Sequence, residues 1–75
     1  MQPYANAGGN SGISAYELGS DSITVRFKDG SVYRYTNASA GAAAISTMQD
    51  LAEGGQGLNA FINRYAKHSY AGKSR

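Results

Sequence analysis

ITVRFKDGSVYRY, residues 23–35, is the stretch on which the fold turns. Ile23, Val25 and Phe27 alternate with Thr24, Arg26 and Lys28, the period of two expected of a strand with one buried face. Asp29-Gly30 then supplies a hairpin turn, because glycine accepts the positive φ such a turn requires. The loop length sets what every later side chain does. A two-residue loop, Asp29-Gly30, would pair Phe27 with Val32 and drive Arg34 toward the core beside Val25. A three-residue loop, Lys28-Asp29-Gly30, pairs Val25 with Tyr33 and Ile23 with Tyr35, and leaves Arg26, Val32 and Arg34 on the other face. Burying an unpaired guanidinium costs several kcal/mol, more than the difference between turn types. The three-residue loop is therefore expected, with Tyr33 and Tyr35 turned inward.

Working outward, ISAYEL (13–18) reads as an earlier strand, and GSDS (19–22) as a tight reversal built from turn residues. The side of the sheet taken by Tyr16 stays open. After Tyr35, TNASAGAAAISTMQDLAEGG (36–55) has a candidate N-cap at Asn37 or Ser39, an apolar stripe of Ala44, Ile45, Met48, Leu51 and Ala52, and a glycine stop. Gly41 weakens the first turn by about 1 kcal/mol relative to alanine. Leu58, Phe61, Ile62 and Tyr65 repeat at helical spacing and predict a second helix with all four on its apolar face. The reading is an α+β domain over residues 12–68: a three-stranded antiparallel meander followed by two helices packed on one face. Residues 1–11 read as a flexible leader, and 69–75 as a basic tail.

Seventy-five residues allow one small domain with a thin core. There is no cysteine, so neither disulfides nor thiolate metal sites are available, and a reducing compartment fits. No window approaches the apolar length of a membrane span, and MQPYANAGGNSG lacks the basic end and apolar stretch of a signal peptide. A cytoplasmic protein is expected.

Function classes narrow accordingly. One histidine, His68, and scattered carboxylates offer no metal set, no acid–base pair and no nucleophile arrangement, so no enzyme and no cofactor are expected. The net charge is +2, but residues 64–75 carry Arg64, Lys67, Lys73 and Arg75 with no acid. That asymmetry suits a polyanionic partner, and equally a solubilising tail. Arg26, Lys28 and Arg34 suit phosphate contacts, and equally the wet back of a half-buried hairpin. With Arg64 and Lys67 they form the candidate nucleic-acid-binding set. Sheets that bind single-stranded RNA usually show aromatic rings on the open face, whereas Tyr33 and Tyr35 are expected inside.

The segments GISAYELGSDSITVRFKDGSVYRY and GLNAFINRY together resemble the KTSC domain, a module found at the C-terminus of some lysyl-tRNA synthetases and as short bacterial and phage proteins. Val25, Phe27, Gly30, Tyr33 and Tyr35 carry its hairpin pattern, and Asn59, Ile62 and a displaced Tyr65 its helix pattern. Leu58 stands where that family usually has Phe or Tyr, and Ala38-Ser39 replaces its Val-Pro. The resemblance spans roughly residues 12–66. It implies a small α+β fold and, through tRNA-charging enzymes, RNA or tRNA as a partner, but no activity. The alternative is a protein-interaction module, docking a partner or self-associating through a sheet edge or Val32. A third reading starts from Gly54-Gly55-Gln56, which resembles the Gly-Gly-Gln loop of peptide-chain release factors and would make Gln56 hydrolytic. A helix stop explains the same glycines.

Overall fold

The hairpin closes on Phe27 and Ser31: the Phe27 N–H donates to the Ser31 carbonyl at 2.8 Å, and the Gly30 N–H to the Phe27 carbonyl at 3.0 Å. Gly30 takes φ 94°, so the three-residue loop is the one formed. Asp29 tightens it by accepting from both the N–H and the hydroxyl of Ser31, at 2.9 and 2.6 Å. In this computed structural model, which describes residues 1–5 and 12–74, the strands on either side are β3, Ser22–Phe27, and β4, Val32–Thr36. Val25 pairs with Tyr33 and Ile23 with Tyr35, as expected.

Among the described residues the sheet has five antiparallel strands in simple sequence order, not three. The preceding strand β2, Ile13–Leu18, pairs with β3 through a bulge that sets Ile13 against Phe27 and Ala15 against Arg26. The bulge re-phases the strand and sends Tyr16 into the core. The two additional strands come from segments read as tails. Gln2–Pro3 forms β1 on the free edge of β2, and Tyr4 behind it is buried, 6 % exposed. The rest of the expected leader, 6–11, lies outside the described residues. Gly72–Ser74 forms β5 against β4, anchored by the Ala71 N–H donating to the Arg34 carbonyl at 2.6 Å. Strands this short carry no readable alternation, and each is held by one aromatic neighbour, Tyr4 or Tyr70, packed into or against the core.

Helices cover one face of the sheet, and the described residues form three of them rather than two. Thr36 is the N-cap of α1, Asn37–Ala40, in a reciprocal capping box: the Ser39 N–H donates to its hydroxyl at 3.1 Å, and its own N–H to the Ser39 hydroxyl at 3.0 Å. Gly41, at φ 95°, ends that turn outright, and α2 runs Ala42–Gly54. Ile45, Met48 and Ala52 are buried and Ala44 and Leu51 half-buried, the stripe the spacing predicts. Gln49 reaches from α2 to the β2–β3 turn, its amide donating to the Gly19 and Ser22 carbonyls at 2.9 Å each. Gly55 caps α2 in the left-handed region, its N–H donating to the Leu51 and Ala52 carbonyls.

The last helix, α3, Leu58–Phe61, runs straight into a π-helical segment, Ile62–Ala66. That wider turn shifts the phase. Leu58, Ile62 and Ala66 are buried, while Tyr65, expected in the core, is 67 % exposed against the Phe61 ring. At the start of α3, the Leu58 N–H donates to the buried Tyr4 hydroxyl at 3.3 Å, joining the N-terminal segment to the last helix. Ile23, Val25, Tyr35, Met48 and Leu58 form the centre of the core. No helix among the described residues is long and apolar enough to cross a membrane.

Candidate nucleic-acid interface

The five basic residues singled out by sequence do not share one surface. Arg26 and Arg34 lie on the open face of the sheet, opposite Val32 and Thr24 respectively, and both are exposed. Arg26 is steadied there by Ser14, whose hydroxyl donates to the Arg26 carbonyl at 3.2 Å and accepts from its Nε at 3.5 Å. Lys28 and Lys67 are on the helix side, where both line a groove of about 520 Å³. Arg64 is exposed on the π-helical segment and does not line that groove.

The groove draws its charged residues from three separated parts of the chain. The hairpin tip contributes Phe27 and Lys28, the end of the last helix Lys67 and His68, and the C-terminal segment Tyr70 and Lys73. Register accounts for Lys73: it pairs with Tyr33 across β4 and β5, so both side chains rise from the same face. Its Nζ stands 5.3 Å from the Tyr33 ring centroid, a cation–π contact worth about 0.5–1 kcal/mol when exposed. Lys67 and His68 follow the helix C-terminus, whose carbonyl ends favour cations. Among the described lining residues, three lysines thus face a single carboxylate, Asp29, which accepts from Ser31.

Tyr33 is the centre of an aromatic cluster lining the same groove. Tyr70 meets it edge-on at 5.0 Å, Phe27 edge-on at 5.5 Å, and Tyr35 lies parallel at 6.5 Å. Such edge-to-face pairs add about 0.5–1.5 kcal/mol beyond their buried area. Tyr35 is only 1 % exposed yet still borders the groove. Burial pushes its phenol up to about 12, with the neighbouring Tyr33 and Tyr70 adding to the rise, so it stays a neutral hydrogen-bonding group at physiological pH.

The arrangement can hold an anion beside flat rings. Inward-facing tyrosines, which sequence alone assigns to packing, both pack and remain in reach. Of the groove residues, the sequence assigns Tyr70 and Lys73 to a tail, and His68 to the end of the domain with no site role. Their only signal was the run of positive charge after Arg64, which locates cations but not the strand that aims them. Gln56 is exposed and away from the groove, just past the helix stop made by Gly55. No three His, Asp or Glu side chains come together to hold a metal among the described residues. No family model, curated protein or solved structure matches the chain.

Proposed function

We propose that this chain is a non-catalytic cytoplasmic module that binds RNA, with the groove as its interface. One observation carries the reading: Lys28, Lys67 and Lys73 converge on a groove lined by Tyr33, Tyr35 and Tyr70. Cations provide the sequence-independent attraction to phosphate, and the half-buried Tyr33 and Tyr70 rings provide sequence-tolerant contact with bases. The resemblance to the KTSC domain points the same way through its link to tRNA-charging enzymes. In this reading Arg26, Arg34 and Arg64 lie outside the interface.

The rival, a partner or second copy docking by strand addition, has less support. Both sheet edges end in strands of two and three residues, and short edges discourage edge-to-edge pairing.

A titration of short single-stranded RNA at ~50 mM and ~200 mM salt tests the proposal. Three phosphate-contacting lysines give a log–log slope near −2, hence a loss of affinity of roughly twentyfold across that range. Five cations on one surface would give a slope near −3.5 and a loss above about a hundredfold. Absence of binding at the lower salt would dispose of the RNA reading.

A further inference from the structure

We infer that the groove takes a nucleic-acid end: a nucleotide carrying a terminal phosphomonoester, its phosphate among Lys28, Lys67 and Lys73 and its base against the Tyr33–Tyr70 cluster. This rests on the RNA reading above and narrows it to one kind of ligand group.

Charge distribution is the first argument. Modules that hold the middle of a single strand run a basic track along several successive phosphates, commonly about 4–16 nucleotides. Here three lysines from the hairpin tip, the helix end and the edge strand meet around one groove of about 520 Å³. That volume lies within the roughly 300–1,000 Å³ of pockets that enclose one small ligand. The arginines that could extend a track, Arg26 and Arg34, are on the other side of the sheet. An internal phosphodiester carries one negative charge, whereas a phosphomonoester carries about −1.5 to −2 at neutral pH. Three lysines against one carboxylate, itself held by Ser31, complement the second far better than the first.

Tyr35 is the second. Tyr35 is 1 % exposed as a whole residue and lines the groove, and no buried side-chain polar atom among the described residues is left without a partner, so its hydroxyl is a group on the groove wall and not an orphaned one. A phenolic O–H at that depth can donate to a phosphate oxygen or a base carbonyl. Lys73 adds the means of accommodation. Its ammonium sits over Tyr33 on a flexible four-carbon stem and can follow an arriving phosphate while the ring receives the base.

The test compares short oligouridine RNAs ending in a 5′-phosphate, a 3′-phosphate or hydroxyls only, with uridine monophosphate and inorganic phosphate as competitors. The expected result is affinity about tenfold or more higher for one phosphorylated end than for the hydroxyl-ended RNA, with the free mononucleotide competing and inorganic phosphate competing far less. Lys67→Ala and Lys73→Ala, both at exposed positions, should each reduce that preference to about twofold or less, and Arg34→Ala should leave it intact. Tyr35→Phe retains the ring and should weaken the phosphorylated RNA without lowering the melting temperature. Equal binding of all three RNAs would overturn the end-specific inference while leaving the RNA reading in place. Inorganic phosphate competing as well as the mononucleotide would also overturn it, since the base would then contribute nothing. No binding of any RNA would remove both. Competition by the mononucleotide alone, with no end preference in RNA, would assign the groove to free nucleotides and overturn the inference.

Discussion

Tyr4 offers a sharp test of whether the N-terminal segment belongs to the fold. It is 6 % exposed, meets Tyr16 edge-on at 6.5 Å, and its hydroxyl accepts the Leu58 N–H at 3.3 Å. The first N–H groups of a helix have no intrahelical partner. Tyr4→Phe therefore keeps the ring and leaves a buried donor unsatisfied. The penalty for such a donor is about 1–3 kcal/mol, and the long bond places this one near 1 kcal/mol. Tyr4→Ala removes the ring as well, and large-to-small changes at buried aromatic positions cost about 3–5 kcal/mol. A domain of this length has a stability of roughly 4–11 kcal/mol. The alanine variant should thus lose about a quarter of it or more, and melt more than about 12 °C lower, at about 4–8 °C per kcal/mol. Urea and thermal denaturation of the three proteins measure both steps. A Tyr4→Ala protein within about 0.5 kcal/mol of the parent, the range of ordinary surface changes, would refute the placement of this residue in the core.

Gly55→Ala should cost about 2–4 kcal/mol, because a Cβ there would stand 2.5 Å from the Ala5 Cβ at a residue with φ +72°; unchanged denaturation would contradict both the cap and the seating of the N-terminal segment. Tyr35 makes stability depend on alkaline pH. Its folded pKa of about 12 lies above the ordinary 10.0, so its contribution is complete below pH 10 and is lost as pH rises toward 12. Two pH units set a ceiling near 2.7 kcal/mol, and the hydroxyl's position on an open groove brings the expected loss to about 1–2 kcal/mol. Tyr35→Phe should flatten that decline, and an identical decline in the variant would show that other groups cause it.

The hairpin at the centre of the sheet is legible in thirteen residues because one register would bury Arg34, and no turn preference offsets that cost. The α2 stripe is legible because its period holds over thirteen residues. The edges of the sheet are not. Gln2–Pro3 and Gly72–Ser74 are too short for any period, and what fixes them is distant: the Leu58 N–H for Tyr4, the Tyr33 ring for Tyr70. Tyr65 follows the helical spacing in sequence, yet the π-helical segment hands its buried position to Ala66, a choice of hydrogen-bonding pattern that apolar spacing does not encode. The groove escapes a linear reading for a related reason. Lys28 and Lys67 are separated in sequence by β4 and all three helices, and Lys73 joins them only once β5 is paired. Charge and strand alternation both group Lys28 with Arg26 and Arg34; β3 ends at Phe27, and the turn that follows carries Lys28 away from the arginines to the groove.

The central claim is that RNA meets the helix-side groove and not the open face of the sheet. Affinity for a short single-stranded RNA at ~50 mM salt, compared between Lys28→Ala/Lys67→Ala and Arg26→Ala/Arg34→Ala, tests it most directly. Each pair removes two positive charges, so a difference between them reports location and not net charge. The groove pair should weaken binding by about tenfold or more and make the salt slope shallower by about 1.4, and the open-face pair should change affinity by less than about threefold. Equal losses, or a larger loss from the arginine pair, would contradict the account.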